Sequence, residues 1–251
     1  MWTPDVYEGA PTSVTTILIT MPKLAALIVL SNLLLYPFIN QLETWVPIII
    51  IISVLSMAIG SISAVLQDNL KRLFAFSTIA NIGYVLIGLA SVDNKAIEAS
   101  LLYIFIYTLG TLGVFSFIMI LRREETQLVS ISDLSGISKS KPVLTLSITI
   151  LLLSLAGIPP FGGFFGKLYI FTAAIENENL HLALAGVIFS VISAYYYLKI
   201  IKTMYLDENI EELNQNLDKK QFVIILFTAF LMLAFIIYAE PLISFIDIIY
   251  N

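Results

Sequence analysis

Apolar stretches of about 20 residues, each long enough to cross a bilayer, follow one another along this chain with only short polar breaks between them. Reading run against break gives seven candidate spans, at about 13–36, 45–66, 72–92, 97–121, 142–171, 180–205 and 221–239. Lipid offers no partner for open backbone groups, so each run must be a helix or a strand of a closed barrel. The runs lack the alternation of a barrel strand, which leaves helices. Composition agrees, with 59% of the 251 residues hydrophobic and 12% charged; a soluble domain carries about twice that charged fraction. The fold class is therefore all-α integral membrane, a single membrane domain over 1–251. The stretch 242–250, after Glu240-Pro241, reads as too short and polar to span alone.

Basic residues set the orientation. The face holding the N-terminus collects Lys71, Arg72, Arg122, Arg123, Lys139, Lys141, Lys199, Lys202, Lys219 and Lys220, against Lys95 on the other. The positive-inside rule then puts the N-terminus in the cytoplasm or mitochondrial matrix. An odd number of spans puts the C-terminus on the opposite side. The basic face carries an entry loop at 1–12 and loops at 122–141 and 206–220. Within 122–141, Leu128, Ile131, Leu134 and Ile137 recur every third residue, a pattern suited to a short interfacial helix.

The chain has no cysteine, which excludes disulfides, cysteine-ligated iron–sulfur clusters and thiol catalysis within it. Its single histidine, His181, lies in a polar stretch and makes a histidine metal site improbable. With no basic domain, nucleic acid is not an expected partner.

Two lysines remain inside the spans. Lys23 is about 15 Å into the first helix at 1.5 Å per residue, near mid-bilayer. A lysine there costs about 2.5–3.5 kcal/mol on insertion scales, so it should face protein or water. Pro22, just before it, removes the hydrogen bond to the Leu18 carbonyl and leaves a polar group nearby. Lys167 ends the run LSLAGIPPFGGFFGK, whose Gly157, Pro159, Pro160, Gly162 and Gly163 oppose a continuous helix. The span at about 142–171 should therefore be discontinuous. Transporters use such breaks to expose backbone dipoles around a cavity, and a desolvated lysine at the break could titrate.

A relay between the lysines needs polar stepping stones. Ser77, Asn81 and Tyr84 share one face of the third span, with Thr78 beside them. Tyr103, Tyr107 and Thr108 lie on the fourth. These groups can support a water wire, and interhelical hydrogen bonding explains them equally well. Gly110, Thr111 and Gly113 read as packing residues, and Tyr195, Tyr196 and Tyr197 near Lys199 and Lys202 as an interfacial anchor.

The motifs WTPDVYEGAPT, MPKLA, DNLKRLFAFSTIANIGY, DLSGI and LSLAGIPPFGGFFGKLYIF together resemble subunit N of bacterial respiratory complex I and its mitochondrial counterpart, chain 2 of NADH–ubiquinone oxidoreductase. The resemblance covers nearly the whole chain and matches only loosely in the acidic loop and C-terminal tail. It implies an antiporter-like subunit of fourteen helices in two inverted repeats, of which this chain resembles helices eight to fourteen, including the whole second repeat. Lys23 falls where the family has its central connecting lysine, and Lys167 where the second broken helix carries one. Many relatives have histidine where this chain has Asn81, which cannot carry a proton.

The resemblance further implies proton translocation in the membrane arm, with NADH, FMN, iron–sulfur clusters and ubiquinone on other subunits and phospholipid bound. Met1 stands just before WTPDVY, inside the family pattern, which suggests a split gene whose partner chain supplies the first seven helices. The composition suits an AT-rich organellar genome. The expected location is the mitochondrial inner membrane, N-terminus in the matrix and C-terminus in the intermembrane space, or else a bacterial inner membrane. The rival functions are a secondary cation/proton antiporter of the same fold, and a scaffold that has lost transport.

Overall fold

A computed structural model describes residues 2–123, 126–208 and 218–250. The helices are α1 (Thr3–Gly9), α2 (Thr12–Leu35), α3 (Leu42–Val65), α4 (Leu70–Ala90), α5 (Asn94–Ile120), α6 (Ile137–Ser140), α7 (Pro142–Ala156), α8 (Gly162–Glu176), α9 (Leu180–Leu206) and α10 (Lys219–Tyr250). The strands β1 (Arg122–Arg123) and β2 (Thr126–Gln127) form a two-residue hairpin. Among the described residues, five helices are individually long and apolar enough to cross a membrane: α2, α3 with the turn before it, α4, α5 and α9. Helices α7 and α8 have 15 residues each, about 22 Å apiece, too short to cross a ~30 Å hydrocarbon layer singly. The expected break in the span at 142–171 is there.

Helix ends follow local chemistry. The Asn69 side chain accepts from the Arg72 amide at 3.2 Å and starts α4, and Asp93 caps α5 through the Ala96 amide. Pro142 opens α7 at a position that needs no amide donor. Gly157 closes that helix at φ 83°, with its own amide and that of Ile158 bonded back into the last turn. The Ser154 hydroxyl then accepts from the Gly163 amide at 2.9 Å, tying the start of α8 to the end of α7.

Packing makes α4 and α5 the core. Of their most apolar windows 83% and 72% are buried, against 28% in α2, α3 and α9. Helix α3 lies along α4, while α2, α8 and α10 lie along α5. Gly60 permits the α3–α4 approach, because a Cβ there would strike the Ala80 backbone. Ser53 of α3 donates to the Gly83 carbonyl of α4 at 2.7 Å. Small residues at the crossing let lipid-facing helices gain close contact. Gly110 and Gly113 serve the same end, lying against Leu155 of α7 and Thr228 of α10.

Two expectations are corrected. The entry segment holds a helix at Thr3–Gly9, begun by Pro4 and docked on α4 by Arg72 contacts to Asp5 and Glu8. The segment 122–141 is not one interfacial helix. Its backbone pairs elsewhere, Leu70 donating to Val129 and Ile131 to Asp68, which pulls Leu128, Ile131, Leu134 and Ile137 into the core. The stretch 242–250, read as too short and polar to span alone, continues α10, which runs unbroken from 219 to 250; a helix keeps backbone groups satisfied where water is scarce. Glu98, within the span expected at 97–121, is a buried carboxyl five residues into α5. The loop expected at 206–220 lies mostly outside the described residues.

Candidate functional site

The break between α7 and α8 builds the seat of Lys167. Ending α7 at Ala156 leaves carbonyls with no amide one turn further on. The Lys167 Nζ donates to the Ala156 carbonyl at 3.3 Å and to the Ser190 hydroxyl of α9 at 2.9 Å. It also lies 4.7 Å from the centre of the Tyr84 ring. A helix C-terminus and an aromatic face both favour a cation without a full negative charge. Lys167 is buried, at 4% exposure. Gly157 makes room for it: a Cβ there would stand 3.0 Å from Cδ and 3.3 Å from Nζ of the lysine.

Lys23 has a comparable seat on the other side of α4. Its Nζ donates to the Thr78 hydroxyl at 3.0 Å and lies 5.3 Å from the Tyr107 ring and 6.0 Å from the Tyr7 ring. Thr78 in turn shares a 2.9 Å hydrogen bond with Tyr107. The carbonyl of Leu18, released by Pro22, accepts from the Tyr7 hydroxyl at 3.3 Å. Tyr7 comes from α1, and its burial raises the phenol to about 12, so it remains a donor at physiological pH. Sequence reading missed Tyr7 because α1 reads as an entry loop. The half-buried lysine Lys199 pairs with Asp68; among the described residues neither Lys23 nor Lys167 has an ion pair.

Between the two lysines runs a set of buried hydroxyls. Ser77 shares a 2.6 Å bond with Tyr197, and Asn81 donates to the Ser77 carbonyl at 2.7 Å. The Tyr103 hydroxyl donates to the Asn81 side-chain carbonyl. Tyr84 contacts Ser193 at 3.4 Å, and Ser193 shares a 3.0 Å bond with Ser61. Thus Ser77, Asn81, Tyr84 and Tyr107 all belong to this polar interior. Thr108 does not: its hydroxyl donates to the Ile104 carbonyl one turn back on α5. The tyrosine triplet also differs from expectation. Tyr195 is 58% exposed, but Tyr196 and Tyr197 are fully buried against α4 and α5 rather than at an interface. The helical spacing of Ser190, Ser193 and Tyr197 on α9 was the available signal.

Residues 1–193 match the family described as NADH:quinone oxidoreductase/Mrp antiporter, transmembrane. Subunit N of NADH-quinone oxidoreductase from Pelagibacter ubique is 48% identical over 84% of this chain and 45% of its own length. The protein of that name from Paramagnetospirillum magneticum is 40% identical over 97% of this chain and 50% of its own length. The chain thus spans about half the length of the curated relatives it matches. Among solved structures, a chain of respiratory complex I from Thermus thermophilus with bound Aureothin superposes with a TM-score of 0.83 at 28% identity, over 97% of this chain and 53% of that one. A chain of the Mrp complex from Dietzia sp. superposes at 0.88 with 20% identity, over 98% and 54%, which shows a shared fold.

Proposed function

Because the chain belongs to the NADH:quinone oxidoreductase/Mrp antiporter membrane family, we propose that it carries part of the proton path in the membrane arm of an NADH:quinone oxidoreductase. Lys23 and Lys167 are its protonatable stations, and Ser77, Asn81, Tyr84 and Tyr107 organise the path between them. The observation that carries this reading is the neutrality of both seats. Each ammonium is held by a hydroxyl, ring faces and, for Lys167, a backbone carbonyl. Either lysine can therefore release its proton without stranding a buried carboxylate, which would be costly. Redox chemistry with NADH, FMN, iron–sulfur clusters and ubiquinone belongs to other subunits in this reading.

Several finer points go with it. The apolar face that α2 leaves exposed at Ile17, Met21 and Val29 suits packing against further helices of the membrane arm. The basic bias suits an N-terminus in the mitochondrial matrix, or in the cytoplasm of a bacterium. Bound phospholipid suits the groove of about 410 Å³ formed by Ile52, Leu55, Ile59 and Phe76 with Arg72 and Asp5.

The test is the Lys167→Ala variant in membranes of the source organism, measuring protons pumped per electron at normal assembly. The proposal expects a lower ratio; a wild-type ratio would end it. The antiporter reading is favoured by the Mrp-like fold and predicts cation/proton exchange by the purified chain alone in liposomes.

A further inference from the structure

One buried group has no role in the scheme so far. Tyr196 is fully buried, and its hydroxyl has no hydrogen-bond partner among the described residues. Buried hydroxyls are almost always satisfied, by protein or by water. The surroundings of this one are polar. Its ring packs on that of Tyr197, and the hydroxyls of Ser193, Ser77 and Tyr197 are close to it without making a direct bond. A site with several polar neighbours just beyond direct contact is the kind that holds an internal water.

Tyr196 also sits at a gap in the network. Along α9, Ser190 binds Lys167, Ser193 binds Tyr84, and Tyr197 binds Ser77. Ser77 neighbours Thr78, which binds Lys23. The direct hydrogen bonds form four groups: Lys167 with Ser190, Tyr84 with Ser193 and Ser61, Ser77 with Tyr197, Asn81 and Tyr103, and Lys23 with Thr78 and Tyr107. Tyr196 is one helical turn beyond Ser193 and beside Tyr197, with ring centres 4.5 Å apart.

We propose that the Tyr196 hydroxyl, with one bound water, joins the Ser193 group to the Ser77 group and is a point where protons cross on the way between Lys167 and Lys23. The inference rests on the proton-path reading above. In each step an oxygen accepts a proton on one side and releases its own on the other, so no charge stays on Tyr196. The hydroxyl then rotates back for the next transfer. Nothing is oxidised or reduced along this segment.

The test compares Tyr196→Phe, Ser193→Ala and Lys167→Ala in native membranes. It reads assembled complex, protons pumped per electron, and the deuterium isotope effect on pumping. The proposal expects both hydroxyl variants to assemble and to lose pumping by roughly tenfold or more, as when a proton-transfer group is removed. Ser193→Ala deletes a single oxygen, so it keeps the test open if Tyr196→Phe does not fold. Loss of assembled complex with an unchanged ratio per complex marks a structural role and overturns the proposal. Wild-type pumping by the hydroxyl variants, with Lys167→Ala impaired, overturns the Tyr196 role alone. Wild-type pumping by all three removes the proton path itself.

Discussion

Gly157→Ala perturbs the hinge and the lysine together, and its size can be worked from the structure. Residue 157 adopts φ 83°, in the left-handed region, where a side chain costs about 1–2 kcal/mol. The new Cβ would stand 3.0 Å from Lys167 Cδ and 3.3 Å from Nζ, so the lysine must move. Movement weakens the 3.3 Å bond to the Ala156 carbonyl, which the ammonium makes because α7 ends there. A hydrogen bond involving a charge is worth about 1.5–3 kcal/mol. Losing about half of that bond lowers the population of the seated lysine roughly tenfold, and with the backbone cost the fold as a whole loses about 3 kcal/mol. Protons pumped per electron and the thermal midpoint of the assembled complex should both drop. Gly9→Ala is the internal control, since nothing lies within 4 Å of its Cβ position, and surface changes of that kind stay within about 0.5 kcal/mol. If Gly157→Ala matched Gly9→Ala in both measurements, the argument that Gly157 shapes the Lys167 seat would be refuted.

Three further outcomes are expected. Tyr7→Phe should destabilise by about 1–2 kcal/mol through the unpaired Leu18 carbonyl; adding Pro22→Ala should return part of it, because an alanine amide can take that carbonyl, and a double-mutant cycle by chemical denaturation measures the coupling. The same tyrosine has a pH signature: its phenol is raised from 10.0 to about 12, so its contribution is whole below pH 10 and lost as pH climbs towards about 12, a loss that Tyr7→Phe should abolish in stability curves. Gly83→Ala should open the α3–α4 crossing, since the Cβ would fall 2.8 Å from the Ser53 carbonyl; a cost of about 1–3 kcal/mol should appear as reduced folded yield.

The positions of the spans, the interruption before Lys167 and the two lysines within the helices were legible in the residues alone, because each follows from a local cost. Transfer of a charge into lipid, a missing proline amide and the backbone freedom of glycine act wherever the neighbours are. The partners of those lysines were not legible. Tyr196 and Tyr197 have the composition of an interfacial anchor, yet α9 packs so that both rings enter the interior. Thr108 is as polar as Thr78, but its hydroxyl returns to its own helix while that of Thr78 meets Lys23 and Tyr107. The segment 122–141 shows a helical period and is held instead by backbone pairing near the start of α4. In each case the outcome depends on which way a helix is rotated and what lies against it. Hydropathy along the chain decides that a helix enters the membrane; only the packing of the bundle decides which face meets which.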